Sequence, residues 1–293
     1  MNDSWSAKNQ YLDISRVQYH NPDYIEFLVQ RVWGIDGPCR IVDFGCGRGY
    51  LAGLLDPFLS PGSHYTGVDV AGRLLEEARQ TVQCRNIETK FFLEDAHRTS
   101  FADASFDVAI CHALLMHLGH PMKVLREMKR VTKPGGLVIC CETNRSAVNA
   151  SLYVAELPPL ADLGVLQKLF ERNRASTGKD PDIGVKLPVL FQQLGLEAIQ
   201  ARVTDCVRCV LPPLDTPEQK RLFEAVRSEM LGEISEEVAA AARTRLEAAG
   251  LTQDEAARQI QNERKMAEEF ATCGEQLHTV LPQMMLFCSG RVP

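Results

Sequence analysis

The stretch IVDFGCGRGYLAGLL, residues 41–55, connects a short apolar run to a helix-forming segment through a loop with three glycines. The glycines alternate at positions 45, 47 and 49, and Asp43 stands near the end of the apolar run. Glycine lets a backbone turn sharply and approach a neighbour that a Cβ atom would keep away. The loop therefore indicates a strand-to-helix turn that comes close to a ligand.

Apolar strand-like segments alternate with amphipathic helical segments from residue 39 to residue 142. Five predicted strands are CRIVDF, YTGVDV, TKFFLED, FDVAICH and LVICCE. Such alternation is typical of a parallel sheet with helices on both faces. Long strands over 196–211 and 277–290 complete the prediction, which is an α/β fold with a doubly wound, mostly parallel seven-stranded sheet and a helical cap.

Helix-capping signals and changes in predicted secondary structure divide the chain into parts. Asn21 followed by Pro22 predicts the start of the first helix. Two capping boxes, which begin at Thr216 and Thr252, predict folded helices inside an insertion between the last two strands. The predicted parts are an arm and first helix (1–37), an α/β core (38–145), a helical cap region (146–195), the last two strands (196–212 and 276–293) and a helical insertion (213–275).

Composition excludes several classes of protein. The formal net charge is −6, and residues 215–275 alone hold 14 acids and 8 bases, which argues against binding nucleic acid. No apolar run approaches the roughly 18 residues of a membrane span, and no secretory signal pattern opens the sequence. Ten scattered cysteines favour free thiols in the cytoplasm. Cys206 and Cys209 have no second pair, so no metal site is predicted there.

The glycine loop fits two ligands when spacing alone is considered. Read from Gly47, it follows the G-x-G-x-x-A pattern of dinucleotide binders, with Asp69 22 residues further on. Read from Asp43, it is D-x-G-x-G-x-G. Since a dinucleotide brings an anionic diphosphate to the helix N-terminus, the carboxylate of Asp43 would repel it. A ligand with a cationic end suits the loop better, and backbone N–H groups beyond Gly45 and Gly47 could face an anionic group of that ligand.

The second pattern resembles the first motif of class I S-adenosylmethionine-dependent methyltransferases, in particular the group that acts on small molecules. The resemblance extends over about residues 38–145. GVDV resembles the family's second strand, LEDAHRTSFADASFDVAICHALLMHL its third and fourth motifs, and VLREMKRVTKPGGLVI its helix-to-strand turn. Each piece is weak alone, but together they follow the family's order and spacing.

The resemblance implies that the chain binds S-adenosyl-L-methionine and releases S-adenosyl-L-homocysteine. Asp69 would accept hydrogen bonds from the ribose hydroxyls, Asp95 and the backbone of Ala96 would meet the adenine, and His112 would lie beside the methionine part. The implied cofactor contacts are Asp43, Gly45, Cys46, Gly47, Asp69, Val70, Leu74, Asp95, Ala96 and His112. Tyr11, Arg16 and Tyr19 precede the first helix, where family members often fold a segment over the cofactor.

Methyl transfer needs a general base only if the acceptor arrives protonated. His117 is a candidate base, and Glu142, at the predicted end of the fifth strand, is a candidate acceptor contact. The spacing of His117 and His120 lacks a nearby carboxylate, so we predict no metal. The expected acceptor is a small organic molecule methylated on oxygen, nitrogen or carbon.

Two other hypotheses about function remain open. The protein could be a nicotinamide-dependent oxidoreductase, or a non-catalytic module that binds an S-adenosyl ligand. The helical insertion is expected to cover the acceptor. Its apolar stripe (Leu222, Val226 and Met230) could instead form a homodimer interface.

Overall fold

The computed structural model describes residues 19–155, 162–229 and 235–293, apart from the side chains of residues 227–229. Tyr11, Arg16 and Met230 lie outside the described residues. The strands are β1 Arg40–Phe44, β2 Ser63–Asp69, β3 Ile87–Leu93, β4 Phe106–His112, β5 Thr132–Thr143, β6 Tyr153–Val154, β7 Glu197–Val203, β8 Val207–Val210, β9 Thr279–Pro282 and β10 Met285–Arg291. The α-helices are α1 Pro22–Phe27, α2 Tyr50–Leu55, α3 Gly72–Thr81, α4 Pro121–Val131, α5 Arg145–Ser151, α6 Leu163–Thr177, α7 Leu187–Gln193, α8 Pro217–Glu229, α9 Glu236–Ala248 and α10 Gln253–Cys273. A π-helical turn, Leu28–Trp33, continues α1.

Seven strands form one sheet in the order β3-β2-β1-β4-β5-β10-β7. Neighbouring strands from β3 to β5 are parallel, and β10 runs antiparallel to both β5 and β7. The order reverses between β1 and β4, so the carboxyl ends of these two strands frame a topological switch point. The predicted doubly wound sheet is confirmed.

Helices cover both faces of the sheet with apolar side chains. On one face, the π-helical turn and α2 pack with Trp33 and Leu51 against Ile110 and Ile139. On the other, α4 and α7 bury residues such as Leu125 against the facing side chains of β1, β4 and β5. Because the buried strands are apolar on both faces, they read as nearly continuous hydrophobic runs in the sequence.

The last two predicted strands are each broken in two, which corrects the prediction of one long strand in each region. Residues 204–206 separate β7 from β8, and 283–284 separate β9 from β10. Two backbone hydrogen bonds connect the two segments at the break: Thr204 N–H donates to Met285 O, and Gln283 N–H donates to Cys206 O. Beyond it, β8 and β9 form a second sheet, in the order β6-β9-β8. The alternation of apolar and polar residues predicts a strand, but it does not show where the chain passes from one sheet to another.

The small sheet lies beyond the carboxyl ends of the main strands. β7 runs parallel to β5, so its carboxyl end, from which β8 continues, is at the same edge as the glycine loop. The three predicted helices of the insertion are present as α8, α9 and α10, between β8 and β9. α8 and α10 pack on the small sheet through Phe223, Val226, Phe270 and Leu281. Val226 is fully buried inside the chain, so this residue of the stripe packs in the cap.

Within the described ranges, no helix has the length and apolar character needed to cross a membrane. Cys206 is buried and Cys209 is exposed, as opposite faces of an extended segment predict. None of the ten cysteines, all of which lie in the described ranges, forms a disulfide bond.

Candidate cofactor and active site

The glycine loop has a backbone that only glycine adopts without strain. Gly45, Gly47 and Gly49 have φ angles of 72°, 53° and 77°, all in the left-handed region. A Cβ atom on Gly45 would lie 2.7 Å from the Leu114 side chain. The loop is thus pressed against the segment that follows β4, and both stand at the switch point of the sheet.

The loop's own N–H groups are directed into the protein. Gly45 and Cys46 both donate to Val68 O, and Gly49 donates to Cys46 O. Gly47 donates to the Asp69 carboxylate at 2.9 Å. These groups therefore do not serve as donors to an anionic ligand in this structure, and what the loop offers a ligand is its glycine backbone without side chains. The buried side chain of Cys46 lies beneath the loop, next to Gly67.

Asp69 ties two turns together at the carboxyl end of β2. One carboxylate oxygen accepts from Gly47 N–H at 2.9 Å and the other from Ala71 N–H at 2.8 Å. Each carboxylate oxygen has two lone-pair sites, so Asp69 can still accept hydrogen bonds from ligand hydroxyls. Asp43 lies deeper, 2% exposed, and accepts a hydrogen bond from the Tyr65 hydroxyl.

An exposed apolar strip borders Asp69. Val70 is 43% exposed, and Leu93, which pairs with Asp69 in the ladder between β2 and β3, is 59% exposed. The sequence analysis predicts Val70 as a cofactor contact but does not identify Leu93. The signal that could have identified Leu93 is its place as an apolar residue at the end of a strand that contains both polar and apolar residues. Leu74, also an implied cofactor contact, is only 2% exposed and lies in the core instead.

Asp95 and Ala96 lie in the loop after β3. The Asp95 carboxylate accepts from the His97 backbone N–H at 2.9 Å and lies 2.7 Å from the His97 ring Nδ1. The backbone N–H of His97 is the main reason that the pKa of Asp95 is lowered. His97 is a neighbour of the predicted adenine position that sequence reasoning does not identify.

Helix α4 holds the loop after β3 in place through Glu127 and Arg130, two residues of the quoted stretch VLREMKRVTKPGGLVI. Glu127, 6% exposed, accepts from both the N–H and the hydroxyl of Thr99 at 2.7 Å. It also pairs with Arg130 at 2.6 Å, and Arg130 in turn donates to Phe101 O. The pair therefore positions the segment around Asp95 without reaching a ligand itself.

Glu142 corrects another prediction. Its side chain is fully buried, and its carboxylate accepts from the N–H groups of Leu114, Leu115 and Met116 at 2.9, 2.7 and 3.3 Å. A carboxylate buried in this way is not in a position to contact an acceptor. Instead it caps the 3₁₀ turn Leu115–His117, and so it fixes the segment that carries His117.

Burial raises the pKa of Glu142 to about 7, against the opposing effect of the three N–H donors. The folded chain then keeps this proton between pH 4.5 and about 7, whereas the unfolded chain releases it. The contribution of protonated Glu142 to the free energy of unfolding is fully present below pH 4.5 and is lost as the pH rises to about 7. We expect the free energy of unfolding to fall across this window, by at most on the order of 3 kcal/mol, and Glu142→Gln to remove that fall.

Urea denaturation at pH 5 and pH 8 measures the effect. Glu268→Gln is the matched control, because the Glu268 side chain is exposed on α10. An equal pH dependence in wild type and Glu142→Gln would show that Glu142 is not the group responsible.

Rings gather around His112 at the end of β4. The His112 Nε2 atom lies 2.8 Å from Nε2 of His20, a residue that the sequence analysis does not identify. Ring centroids of Tyr19, Tyr50 and His20 lie 5.8, 5.5 and 5.1 Å from the His112 centroid. Tyr19 and His112 thus lie next to each other at the end of β4.

The matches with known proteins agree with this geometry. Residues 42–140 match a family model described as a methyltransferase domain. An uncharacterized methyltransferase of Schizosaccharomyces pombe is 34% identical over 124 residues, 40% of this chain and 44% of that protein. A ubiquinone biosynthesis O-methyltransferase of Aeromonas salmonicida is 27% identical over 144 residues, 48% of this chain and 57% of that protein. The chain spans about half the length of these relatives.

Two solved structures share the fold over most of the chain. One, from Haloferax volcanii, is a complex between the Trm112 methyltransferase activator and a chain named as a methyltransferase, with a TM-score of 0.53, 15% identity and coverage of 99% and 97% of the two chains. The other, named as a methyltransferase from Bacillus halodurans, has a TM-score of 0.50, 13% identity and coverage of 92% and 98%. The sheet order and the family match together show a methyltransferase domain over residues 42–140.

Proposed function

We propose that this protein transfers the methyl group of S-adenosylmethionine to a small organic acceptor. The observation that carries the proposal is the left-handed glycine loop at the switch point, tied through Gly47 N–H to the carboxylate of Asp69. A ligand can approach the loop closely there, and hydroxyl groups can reach a carboxylate at the end of the next strand.

The residues present fit a nucleoside with two vicinal hydroxyls. Asp69 would accept from the ribose, and Val70 with Leu93 would supply apolar faces for the adenine. Asp95 lies in the following loop, where its carboxylate would accept from the adenine amino group. Apolar side chains next to polar groups that fix a ligand's orientation are the usual lining of a small-molecule site, which supports a bound base here.

The methionine side of the cofactor would lie between the glycine loop and His112. His112 follows Cys111, which pairs with Phe44 just before Gly45, so the ring and the loop are neighbours. Aromatic rings attract cations, and Tyr19 and Tyr50 lie within 6 Å of His112, ring centroid to centroid. These rings would favour the positively charged end of the cofactor.

When bound, S-adenosylmethionine supplies an electrophilic methyl group on a sulfonium. The chain must then align the acceptor with that methyl group and exclude water. His117, at the end of the 3₁₀ turn that Glu142 caps, remains a proposed base near the acceptor.

The cap stands on the side from which an acceptor would enter. α6 and the insertion meet through Val165, Leu251 and Ala256, and the end of α6 contacts the loop after His117 at Gly119. We propose that these elements supply most acceptor contacts and few cofactor contacts. The apolar core of the cap also includes Val148, Val154 and Leu281 from outside the insertion. Replacing residues 213–275 with a short loop would therefore expose these side chains. Single substitutions at exposed positions of the cap are a better test of the acceptor contacts.

We expect S-adenosylhomocysteine to raise the melting temperature measurably and NADH to leave it unchanged, because a ligand that binds only the folded state stabilises it by an amount that grows with the logarithm of ligand concentration over Kd. Differential scanning fluorimetry followed by calorimetry tests this. Stabilisation by NADH alone would favour the oxidoreductase. Binding of S-adenosylhomocysteine without turnover on any acceptor in a broad panel would favour a non-catalytic module.

A further inference from the structure

His97 holds the carboxylate of Asp95 by one of its two oxygens. The Asp95 Oδ1 atom accepts from the His97 backbone N–H at 2.9 Å and lies 2.7 Å from the His97 ring Nδ1. The pKa of Asp95 is lowered, chiefly by that backbone N–H, so the carboxylate is ionised and can only accept. The ring nitrogen must then donate, which places a proton on Nδ1 of His97.

The turn that carries Asp95 leaves one acceptor and one donor available. Among the described residues, no donor bonds to Asp95 Oδ2, and the Asp95 side chain is 63% exposed. Arg98 N–H donates to Asp95 O at 3.0 Å, which closes a tight turn over residues 95–98. Within this turn, the N–H of Ala96 has no acceptor in the part of the chain that the structure describes. A carboxylate oxygen and a backbone N–H of adjacent residues are thus both unused.

Contacts outside the turn fix its backbone. Glu94 N–H donates to Asp69 O at 3.1 Å, which joins the turn to the end of β2. On the other side of the turn, Glu127 of α4 accepts from the N–H and the hydroxyl of Thr99 at 2.7 Å. With the backbone held at both ends, the main freedom left to Asp95 is rotation of its side chain. The bond from the histidine ring restricts that rotation.

We propose that His97 is a positioning residue for recognition of the adenine, because its ring N–H orients the Asp95 carboxylate so that Oδ2 meets the amino group of the base. The inference rests on the proposed function and deepens it. Adenine carries an amino donor next to a ring nitrogen that accepts, which matches Asp95 Oδ2 and Ala96 N–H. A base with an oxo group in place of the amino group would set two acceptors against each other.

The bond between the His97 ring and Asp95 is expected to matter more for binding than for folding. The side chains are 34% and 63% exposed, and an exposed pair of this kind adds little to stability in water. A carboxylate that is oriented before the ligand arrives costs less to order on binding. A base that covers the pair also excludes water, which strengthens the charge-assisted hydrogen bonds.

Calorimetry with two ligands tests the role of the ring. One is S-adenosylhomocysteine, and the other is its analogue in which hydrogen replaces the amino group of the base. We expect His97→Leu to weaken binding of S-adenosylhomocysteine by about 5- to 10-fold, as for the loss of one hydrogen bond. Binding of the analogue should change by less than about twofold, because it has no amino group for Asp95 to meet.

Two further variants separate positioning from packing. His97→Asn is close to His97→Leu in shape but keeps an N–H donor near the position of Nδ1, so it should retain wild-type affinity for both ligands. His64→Leu is the matched control. His64 Nδ1 also lies beside a carboxylate, that of Glu88 at 3.2 Å, but at the amino end of β2, and its loss should leave both affinities unchanged.

Equal losses for the two ligands in His97→Leu would overturn the inference and assign the ring a packing role. The same conclusion follows if His97→Asn binds S-adenosylhomocysteine as weakly as His97→Leu does. Equal affinity of the wild type for both ligands would show that nothing meets the amino group, which also overturns the inference. Failure of the wild type to bind either ligand would instead defeat the proposed function, and the inference with it.

Discussion

Replacing Gly45 with valine is expected to abolish binding of S-adenosylhomocysteine while leaving the protein folded. A β-branched residue at a φ of 72° is strained by about 1–3 kcal/mol. Its Cβ would also lie 2.7 Å from Leu114, in the segment whose N–H groups bond to Glu142. Because both the loop and that segment border the proposed cofactor site, we expect a loss of affinity of at least about 100-fold, equivalent to roughly 2.7 kcal/mol.

Gly53→Ala in α2 is the matched control for this prediction. Gly53 has no neighbour within 4 Å of a built Cβ and lies in a regular helix, so alanine should leave affinity unchanged and add slightly to stability. Calorimetry gives the affinities and circular dichroism confirms the fold. Tight binding by folded Gly45→Val would mean that the glycine serves the turn alone and that the ligand lies elsewhere.

Replacing Asp69 with alanine is expected to weaken S-adenosylhomocysteine binding by about 10- to 100-fold, which corresponds to roughly 1–3 kcal/mol for hydroxyl donors left without an acceptor. The same change removes the acceptor of Gly47 N–H and Ala71 N–H, so the free energy of unfolding should also fall. Calorimetry and urea denaturation measure the two effects separately, with exposed Glu88→Ala as the control.

A ligand that lacks the ribose hydroxyls separates the ribose contact from support of the turn. The 2′,3′-dideoxy form of S-adenosylhomocysteine should bind the wild type weakly, and Asp69→Ala should weaken it little further. Equal losses for both ligands in Asp69→Ala would falsify the ribose contact and assign the whole effect to the loop.

Much of the α/β core could be predicted because its signals are local. The glycines of residues 41–55, the apolar runs of β1 to β5 and the capping box at Thr252 each encode one strand, turn or helix end through neighbouring residues. The order of these elements then implies a parallel sheet, and its carboxyl edge brings the ends of β1 and β4 together. Asp69 could be placed in the same way, because it directly ends the strand beside β1.

Residues whose roles depend on contacts between distant segments could not be assigned from their surroundings in the sequence. Glu142 ends an apolar strand and would suit a ligand contact, yet its carboxylate caps a turn 26–28 residues earlier. The break between β7 and β8 leaves the strand-forming pattern intact, and only the pairing of β8 with β9, which also pairs with β6, shows that β8 belongs to a second sheet.

The sequence by itself determined the doubly wound sheet, the glycine loop and the carboxylate beside it, since backbone preference and apolar periodicity act over a few residues. Only the tertiary structure decided the surroundings of His112. His20 precedes His112 by 92 residues in the chain. Arg208, which donates to the backbone oxygen of His20, follows His20 by 188 residues. A hydrogen bond between side chains that distant leaves no periodic trace, because its energy depends on where the folded elements place the two rings.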